Sequence, residues 1–305
     1  VAAGLLLDGF LGEPPPLLHP VARFGSGMER LERHLWAGRT ERGAAYLAAG
    51  VSAAAAVGLV TEAVLGEQIA LTAAVAVCSA QRALLDAARV VGSHLDAGDL
   101  DAARAALPAL VGREPWTLDE KEIARAVVES LAENLSDAVV GTAVWGLLAG
   151  APGARVHRAV NTLDAMVGHR TARHRRFGWA SARADDLLGW PAARVTAALV
   201  ALSAPRRAGQ VWTACRRDAS AHPSPNAGIA EAAMAAALEL RLGGINRYDG
   251  REELRSSLGG GEPPAPADIE RAVELVQRTV GVLELGLVAV WALAGAARWA
   301  RRGAQ

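Results

Sequence analysis

Residues 44–61, AAYLAAGVSAAAAVGLVT, run for eighteen positions without a charge. That approaches the ~20 apolar residues a helix needs to cross a bilayer. A second stretch, 279–297 (TVGVLELGLVAVWALAGAA), is interrupted only by Glu284. These are the two strongest membrane helices. Two weaker ones are 63–80, interrupted by Glu67, and 138–154, which is uncharged but short and ends in a Gly-Ala-Pro-Gly turn. The segment 192–205 contains Arg194 and is shorter still, which favours a buried or re-entrant helix over a lipid-facing one. Arg298, Arg301 and Arg302 follow the last span, and arginines 23, 30, 33, 39 and 42 precede the first. The positive-inside rule then puts both flanks in the cytoplasm, which requires an even number of intervening spans.

The whole composition agrees with this. Of the 305 residues 51% are hydrophobic, and the mean hydropathy is +0.18. A single core does not need so much apolar material, so part of it meets lipid. Aromatics are only 4%, and the excess is Ala, Leu and Val, which suits close-packed helices. The expected class is all-α: a polytopic helical membrane protein whose polar helical segments and loops form the site at the membrane edge. Formal charge is zero and Lys121 is the only lysine, so no global field attracts nucleic acid. Cys78 and Cys215 lack a second ligand at metal spacing and read as packing residues. The opening VAAGLLLDGFLG has no basic n-region and does not read as a removable signal peptide. Residues 1–305 read as one domain without internal repeats, with polar segments at 82–137, 155–186 and 206–278. LGGGEPPAPA at 258–267 reads as a flexible connector.

Thr117 and Glu120 have the spacing of a capping box for a helix through EKEIARAVVESLAENLSDAVV. On its wheel Glu122, Glu129, Glu133 and Asp137 fall within about 80° of one another, opposite Ile123, Val127, Leu131 and Leu135. Helix-dipole stabilisation accounts for Glu120 and Glu122. Glu129, Glu133 and Asp137 instead run into the uncharged 138–154 segment, where stacked carboxylates repel unless a cation compensates. Hard oxygen ligands of this kind suit Mg²⁺ shared with a nucleotide phosphate.

Downstream, RAVNTLDAMVGHR places Asn161 and Asp164 three apart beside the small Ala165 and Gly168. A basic cluster follows, Arg170, Arg173, His174, Arg175 and Arg176, and then Arg183, Asp185 and Asp186 in FGWASARADDLLGW. Basic residues beside carboxylates suit phosphates and their metal, although juxtamembrane arginines also set topology. In RRDASAHPSPNAG, Asp218 and His222 precede Pro223 and Pro225, and Asn226 stands where it caps a helix starting near Gly228. Backbone N–H groups there, near His222 and Arg217, make an anion pocket. Asp8 sits inside the first apolar run, with Glu13 and His19 around a proline segment, and a charged residue so placed is a functional candidate.

Taken in order, these segments resemble the adenosylcobinamide-phosphate synthase family, CobD/CbiB. The resemblance lies in LLLD, GEPP and HPV within 5–21, DEKEIARAVVESLAENLSDAVV at 119–140, RAVNTLDAMVGHR at 158–170, FGWASARADDLL at 177–188, HPSPNAG at 222–228 and LGGINRYDG at 242–250. Departures are Glu13 in place of an aspartate, Ala138 and Gly141-Thr142 where glycine and an Ala-Pro pair are usual, Glu114-Pro115, and Ile245 before Asn246.

The resemblance implies an integral, multi-pass enzyme of the bacterial cytoplasmic membrane. It would join adenosylcobyric acid, a corrinoid substrate, to aminopropanol or its phosphate at the expense of ATP, among other membrane enzymes of cobamide assembly. Within that reading, residue type suggests Mg²⁺ on Glu129, Glu133, Asp137 and Asp164, with Arg183 and Arg217 neutralising the transferring phosphoryl group. His222 or Asp218 would take the amine proton. Substrate contacts are expected from Asp8, His19, Asn134, Asn161, Arg175, Arg176, Asp185, Asp186, Asn226, Asn246 and Tyr248. His19 and His169 read as polar contacts rather than cobalt ligands. Two rival classes are weaker. An Mg²⁺-dependent intramembrane prenyltransferase would need more aspartates around NTLDAMVGH and DDLLGW. An AmpE-like sensor or transporter would place its polar residues within continuous spans.

Overall fold

The computed structural model describes residues 1–12, 19–112, 114–169, 171–248 and 251–303, with side chains placed except at 246–248, 251–253 and 294–303. The chain opens with α1 (Ala2–Leu11), α2 (Pro20–Leu35) and α3 (Thr40–Leu65). The third of these shows how the fold uses lipid. It buries Gly43, Tyr46, Gly50, Ala54 and Gly58, and exposes Val57, Leu59, Val60, Val64 and Leu65. Small residues inward and large ones outward is the reverse of a helix in water. Inside a bilayer small residues let helix backbones approach, and large ones meet acyl chains.

Next come α4 (Glu67–Cys78), α5 (Gln81–Asp96), α6 (Leu100–Ala106), α7 (Glu120–Asn134), a π-helical turn (Leu135–Val140) and α8 (Gly141–Val167). The last part comprises α9 (Trp179–Ser203), α10 (Ala208–Arg217), α11 (Ala227–Leu238), β1 (Arg241–Tyr248), β2 (Arg251–Gly259) and α12 (Asp268–Gly303). Four stretches are long and apolar enough to cross a membrane: Thr40–Leu65, Glu67–Asp96, Glu120–Val167 and Asp268–Leu293. Trp179–Ser203 and Pro205–Ala221, bent by 110°, make a fifth if taken as one broken span. The 44–61 and 279–297 runs lie in the first and last of the four, with two between them. The 192–205 segment forms the end of α9 at the sharp bend.

α8 packs against α3, α4 and α9 and is the centre of the assembly. It is in two pieces, because Ala149 (φ −142°, ψ 24°) and Gly150 (φ 65°) leave helical geometry. Glu62 of α3 caps the second piece, its Oε1 accepting from Ala151 N at 2.9 Å. One large apolar core joins most of the helices, and a smaller cluster of Met28, Tyr46, Leu163, Val167 and Phe177 seats α2 and α3 against the end of α8.

One expectation, the position of the capping box, is corrected. The capping box forms two residues later than Thr117–Glu120: Asp119 Oδ1 accepts from Glu122 N at 2.8 Å, and Glu122 Oε2 accepts from Asp119 N at 2.9 Å. The helical fold carries a two-stranded antiparallel hairpin, β1–β2, with an irregularity between Leu242 and Gly244. The 258–267 segment joins β2 to α12. It begins with the end of β2, Gly261 N donates to Leu240 O at 3.3 Å, and Glu262 O accepts from Arg241 N at 2.9 Å.

Candidate functional site

The acidic group is made by a change of helical pitch. After Asn134 the chain widens into the π turn, in which Gly141 N donates to Ser136 O five residues back. Each π turn holds more residues than an α turn, so the side chains beyond it are re-phased. Asp137 thereby meets α8 and α9. Asn161 of α8 donates Nδ2 to Asp137 Oδ2 and to Asp185 Oδ1 of α9, both at 3.4 Å. The amide nitrogen carries two hydrogens, one for each carboxylate. Asp137 lies within electrostatic reach of Asp185, Glu133 and Asp164, and Asp185 within reach of Asp164, Glu133 and Asp186. Acids from three helical segments thus share one region.

His157 supports the turn from behind: its Nε2 meets Asp137 O at 2.9 Å. The close approach depends on Gly141, since a Cβ there would run into the His157 ring.

Two observations test whether this group suits a divalent cation. Among the described residues Asp164 Oδ1 is buried without a hydrogen-bond partner, and the donors are hard carboxylate oxygens crowded with like charge. Both fit a hard cation. Among the described residues no three His, Cys, Asp or Glu side chains converge as a closed metal site. Mg²⁺ ordinarily takes only one or two carboxylates and completes its shell with water and substrate phosphate. The group therefore suits an ion shared with a phosphate, not an all-protein cage.

The other sequence-derived candidates are distributed unevenly. Glu129 does not join the acids. It is buried, lies 3.6 Å from Arg125, and its Oε1 accepts from Gly243 N at 2.9 Å. Asp218 accepts from both Arg217 Nε (2.5 Å) and Nη2 (2.8 Å), and also from Gly259 N (3.0 Å), so these two residues fasten the end of the hairpin. His222 is held at Nδ1 by Ser224 and at Nε2 by Arg255 (3.0 Å), with Glu231 Oε1 at 3.6 Å. Arg183 is exposed and pairs with Asp186 at 3.3 Å. Asn134 turns back onto Ser130.

Asn226 stands at the N-cap position of α11 without capping it. Its Nδ2 donates to Asp186 O at 2.9 Å and its Oδ1 accepts from Arg194, while Ser224 Oγ accepts from Ala227 N. This ties α11 to the acidic end of α9. Asp8 joins α1 to the start of α5 through Ser79 Oγ (2.7 Å) and Gln81 N (2.6 Å). His19 caps α2 by accepting from Val21 N. Arg175 is exposed, and Arg176 lines a surface recess with Arg39, Thr40 and Glu41. The side chains of Asn246 and Tyr248, and all of Glu13 and Arg170, lie outside the described residues.

Within the basic cluster, Arg173 and His174 are committed to packing. Both reach Glu32 Oε1 of α2 at 3.0 Å, and Arg173 also stacks on Trp36. Burial alone would raise the Glu32 carboxyl, but hydrogen bonds from His174 and Arg173 outweigh it and hold it below its ordinary value. Arg155 and Arg158 of α8 were not picked out from the sequence. Their signal was there: with Asn161 they repeat every three residues, which puts them along one face of a helix.

A helical bundle with several stretches long and apolar enough to cross a membrane, and with half-buried carboxylates gathered from its helices, defines a polytopic helical membrane protein. Residues 1–276 match the family model described as CobD/Cbib protein. The chain is 41% identical over 300 residues to the "Cobalamin biosynthesis protein CobD" of Mycobacterium tuberculosis (strain ATCC 25618 / H37Rv), covering 94% of this chain and 95% of that one. It is 48% identical over 214 residues to the protein of the same description from Rhodobacter capsulatus (69% and 68% covered), and 38% over 294 residues to that of Halalkalibacterium halodurans (92% of each). No solved structure matches. The chain belongs to the CobD/Cbib family.

Proposed function

We propose that this chain acts in cobalamin biosynthesis as an ATP-dependent amide ligase, joining adenosylcobyric acid to aminopropanol or aminopropanol phosphate. Its relatives' descriptions support the pathway. The observation that carries the chemistry is the meeting of Asp137 and Asp185 on Asn161, with Asp164 and Glu133 close by. Those acids would hold Mg²⁺, which when bound neutralises phosphate oxygens.

The reaction needs ATP because a carboxylate cannot lose oxide to an amine. A carboxylate oxygen of the corrinoid attacks the γ-phosphorus, and ADP leaves with the electrons of the broken P–O bond. The amine nitrogen then attacks the acyl carbon, and the C–O bond to phosphate breaks. The amine must first give up a proton, and in this scheme the receiver is Asp185, held in place through Asn161. His222 is not assigned that role because both ring nitrogens are engaged. Asp218 is likewise committed to Arg217 and Gly259. Arg183 and Arg217 are paired with neighbouring acids and are not assigned to the transferring group.

The test is direct. Purified full-length protein in detergent, given adenosylcobyric acid, Mg-ATP and either amine, is expected to yield a corrinoid amide with one ATP consumed per amide. Absence of the amide with both amines would refute the ligase reading.

A further inference from the structure

The acidic group has a basic counterpart on the same helix. Arg155 and Arg158 stand one turn apart on the second piece of α8. Among the described residues the Nε of each is buried without a hydrogen-bond partner. Among the described residues neither guanidinium lies within 4.0 Å of a carboxylate, and the one contact between them is Arg158 Nη1 to Asn161 Oδ1 at 3.4 Å. Both act electrostatically on the Cys78 thiol, and Arg158 also on Asp8 and Asp137. Arg158 thus lies within electrostatic reach of Cys78 at the end of α4, Asp8 of α1 and Asp137 of the acidic group, and Arg155 within reach of Cys78. Gln81 Oε1 and Asp8 Oδ1 are also buried there without partners, while Asp8 Oδ2 is taken by Ser79 and Gln81.

Two half-buried guanidiniums with buried Nε atoms, and no carboxylate within 4.0 Å among the described residues, are poorly satisfied unless something anionic completes them. Their planar donor forks match phosphate oxygens in pairs. We propose that Arg155 and Arg158 form an anion subsite that receives a phosphate or polyphosphate group beside the carboxylates of Asp137 and Asp185. The subsite rests on the ligase reading for the source of its phosphate, ATP or a phosphorylated amine, but not for its anion chemistry. It places the cations on the α1–α4 side of Asn161 and the acids on the α9 side. A phosphate bound here meets guanidinium on one edge and a carboxylate-held cation on the other.

The experiment uses the full chain in detergent with Mg-tripolyphosphate, Mg-ATP, aminopropanol phosphate and aminopropanol as separate probes, by calorimetric titration. Wild type is compared with Arg155→Met, Arg158→Met, the double variant and Arg158→Lys. Each Met substitution is expected to weaken phosphate-bearing probes by roughly tenfold to a hundredfold, leaving aminopropanol unaffected. Arg158→Lys should recover part of the loss. Losses with ATP and tripolyphosphate assign the subsite to the nucleotide, whereas losses confined to aminopropanol phosphate assign it to the amine. Thermal unfolding without ligand supplies the structural control, since removing a half-buried charge that has no carboxylate within 4.0 Å among the described residues should leave the midpoint unchanged or raise it. Unaltered affinity for all phosphate probes, or a lowered midpoint with affinity retained, would overturn the proposal. Amide formation by wild type is scored separately, so a functioning ligase with unaltered variants refutes the subsite alone. Tripolyphosphate binding lost in the variants of an inactive ligase refutes only the ligase reading.

Discussion

Arg125 and Glu129, one turn apart on α7, grip the same hairpin residue from both sides: Arg125 Nη1 donates to Gly243 O at 2.7 Å, and Glu129 Oε1 accepts from Gly243 N at 2.9 Å. Arg125 Nη2 adds Ile245 O at 2.8 Å. Gly243 has φ 86°, a conformation that favours glycine, so the irregular start of β1 is where the helix takes hold. Removing one partner of a buried pair leaves the other uncompensated. Glu129→Ala should lower stability by about 3–5 kcal/mol, and Arg125→Leu with Glu129→Leu by less than the sum of the single changes. The check is a double-mutant cycle on thermal unfolding in detergent, and strict additivity would contradict it.

The Glu32 contact gives a pH dependence. Its carboxyl is held below the ordinary 4.5 by His174 and Arg173 despite burial, so the folded form binds its proton less readily than the unfolded chain. The stabilisation is therefore fully present above 4.5 and disappears as pH falls through the lower folded value. Wild type should exceed Glu32→Gln in unfolding midpoint at neutral pH, and the gap should narrow as pH falls below 4.5. A gap constant from pH 7 to 3 would assign the contact to packing alone.

Asp137→Asn and Asp185→Asn should each reduce amide formation by at least about a hundredfold while leaving the fold intact. Because each change removes a carboxylate from a like-charged group, the unfolding midpoint should hold or rise. A fall in the midpoint with activity retained would make these acids structural. Glu133→Gln is expected to be inactive as well but stably inserted.

Glu62 makes the only side-chain bond found at the start of the second piece of α8, among the described residues. Glu62→Ala should cost about 1 kcal/mol, the usual worth of a lost helix cap. Gly58→Val should do more damage, because a side chain there meets the backbone of Pro152 and separates α3 from α8. Both effects are read as shifts in thermal midpoint, and a Gly58→Val protein as stable as wild type would show that the two helices do not need this approach.

The spans were legible because uncharged runs such as 44–61 leave no alternative to a lipid-facing or deeply buried helix. Asp137, Asn161, Asp164 and Asp185 were also legible as site candidates, since each is polar and lies in or against an apolar segment. Asp137 is re-phased relative to Glu129, because a helical wheel assumes constant pitch and the pitch changes at Leu135, while Glu129 is engaged by Arg125 and Gly243. Glu129 also carried its own explanation four residues earlier, in Arg125. The capping box was misplaced because Thr117–Glu120 and Asp119–Glu122 satisfy the same pattern, and only the turn at Trp116 and Thr117 decides between them. The hairpin escaped because its stretch was taken only as part of the polar segment 206–278, and its strands are polar rather than alternating apolar and polar. The Asp249-Gly250 dipeptide is the hairpin signal in that stretch.

The widened turn at Leu135–Val140 makes spacing along the chain a chemical property. Deleting one residue other than Asp137 within it, even an alanine or a valine, would swing everything beyond by ~100° relative to what precedes it. Asn161 would then face a different neighbour, although every acid would still be encoded. Variation among relatives should accordingly tolerate exchanged side chains in this turn far more readily than a change in the number of residues.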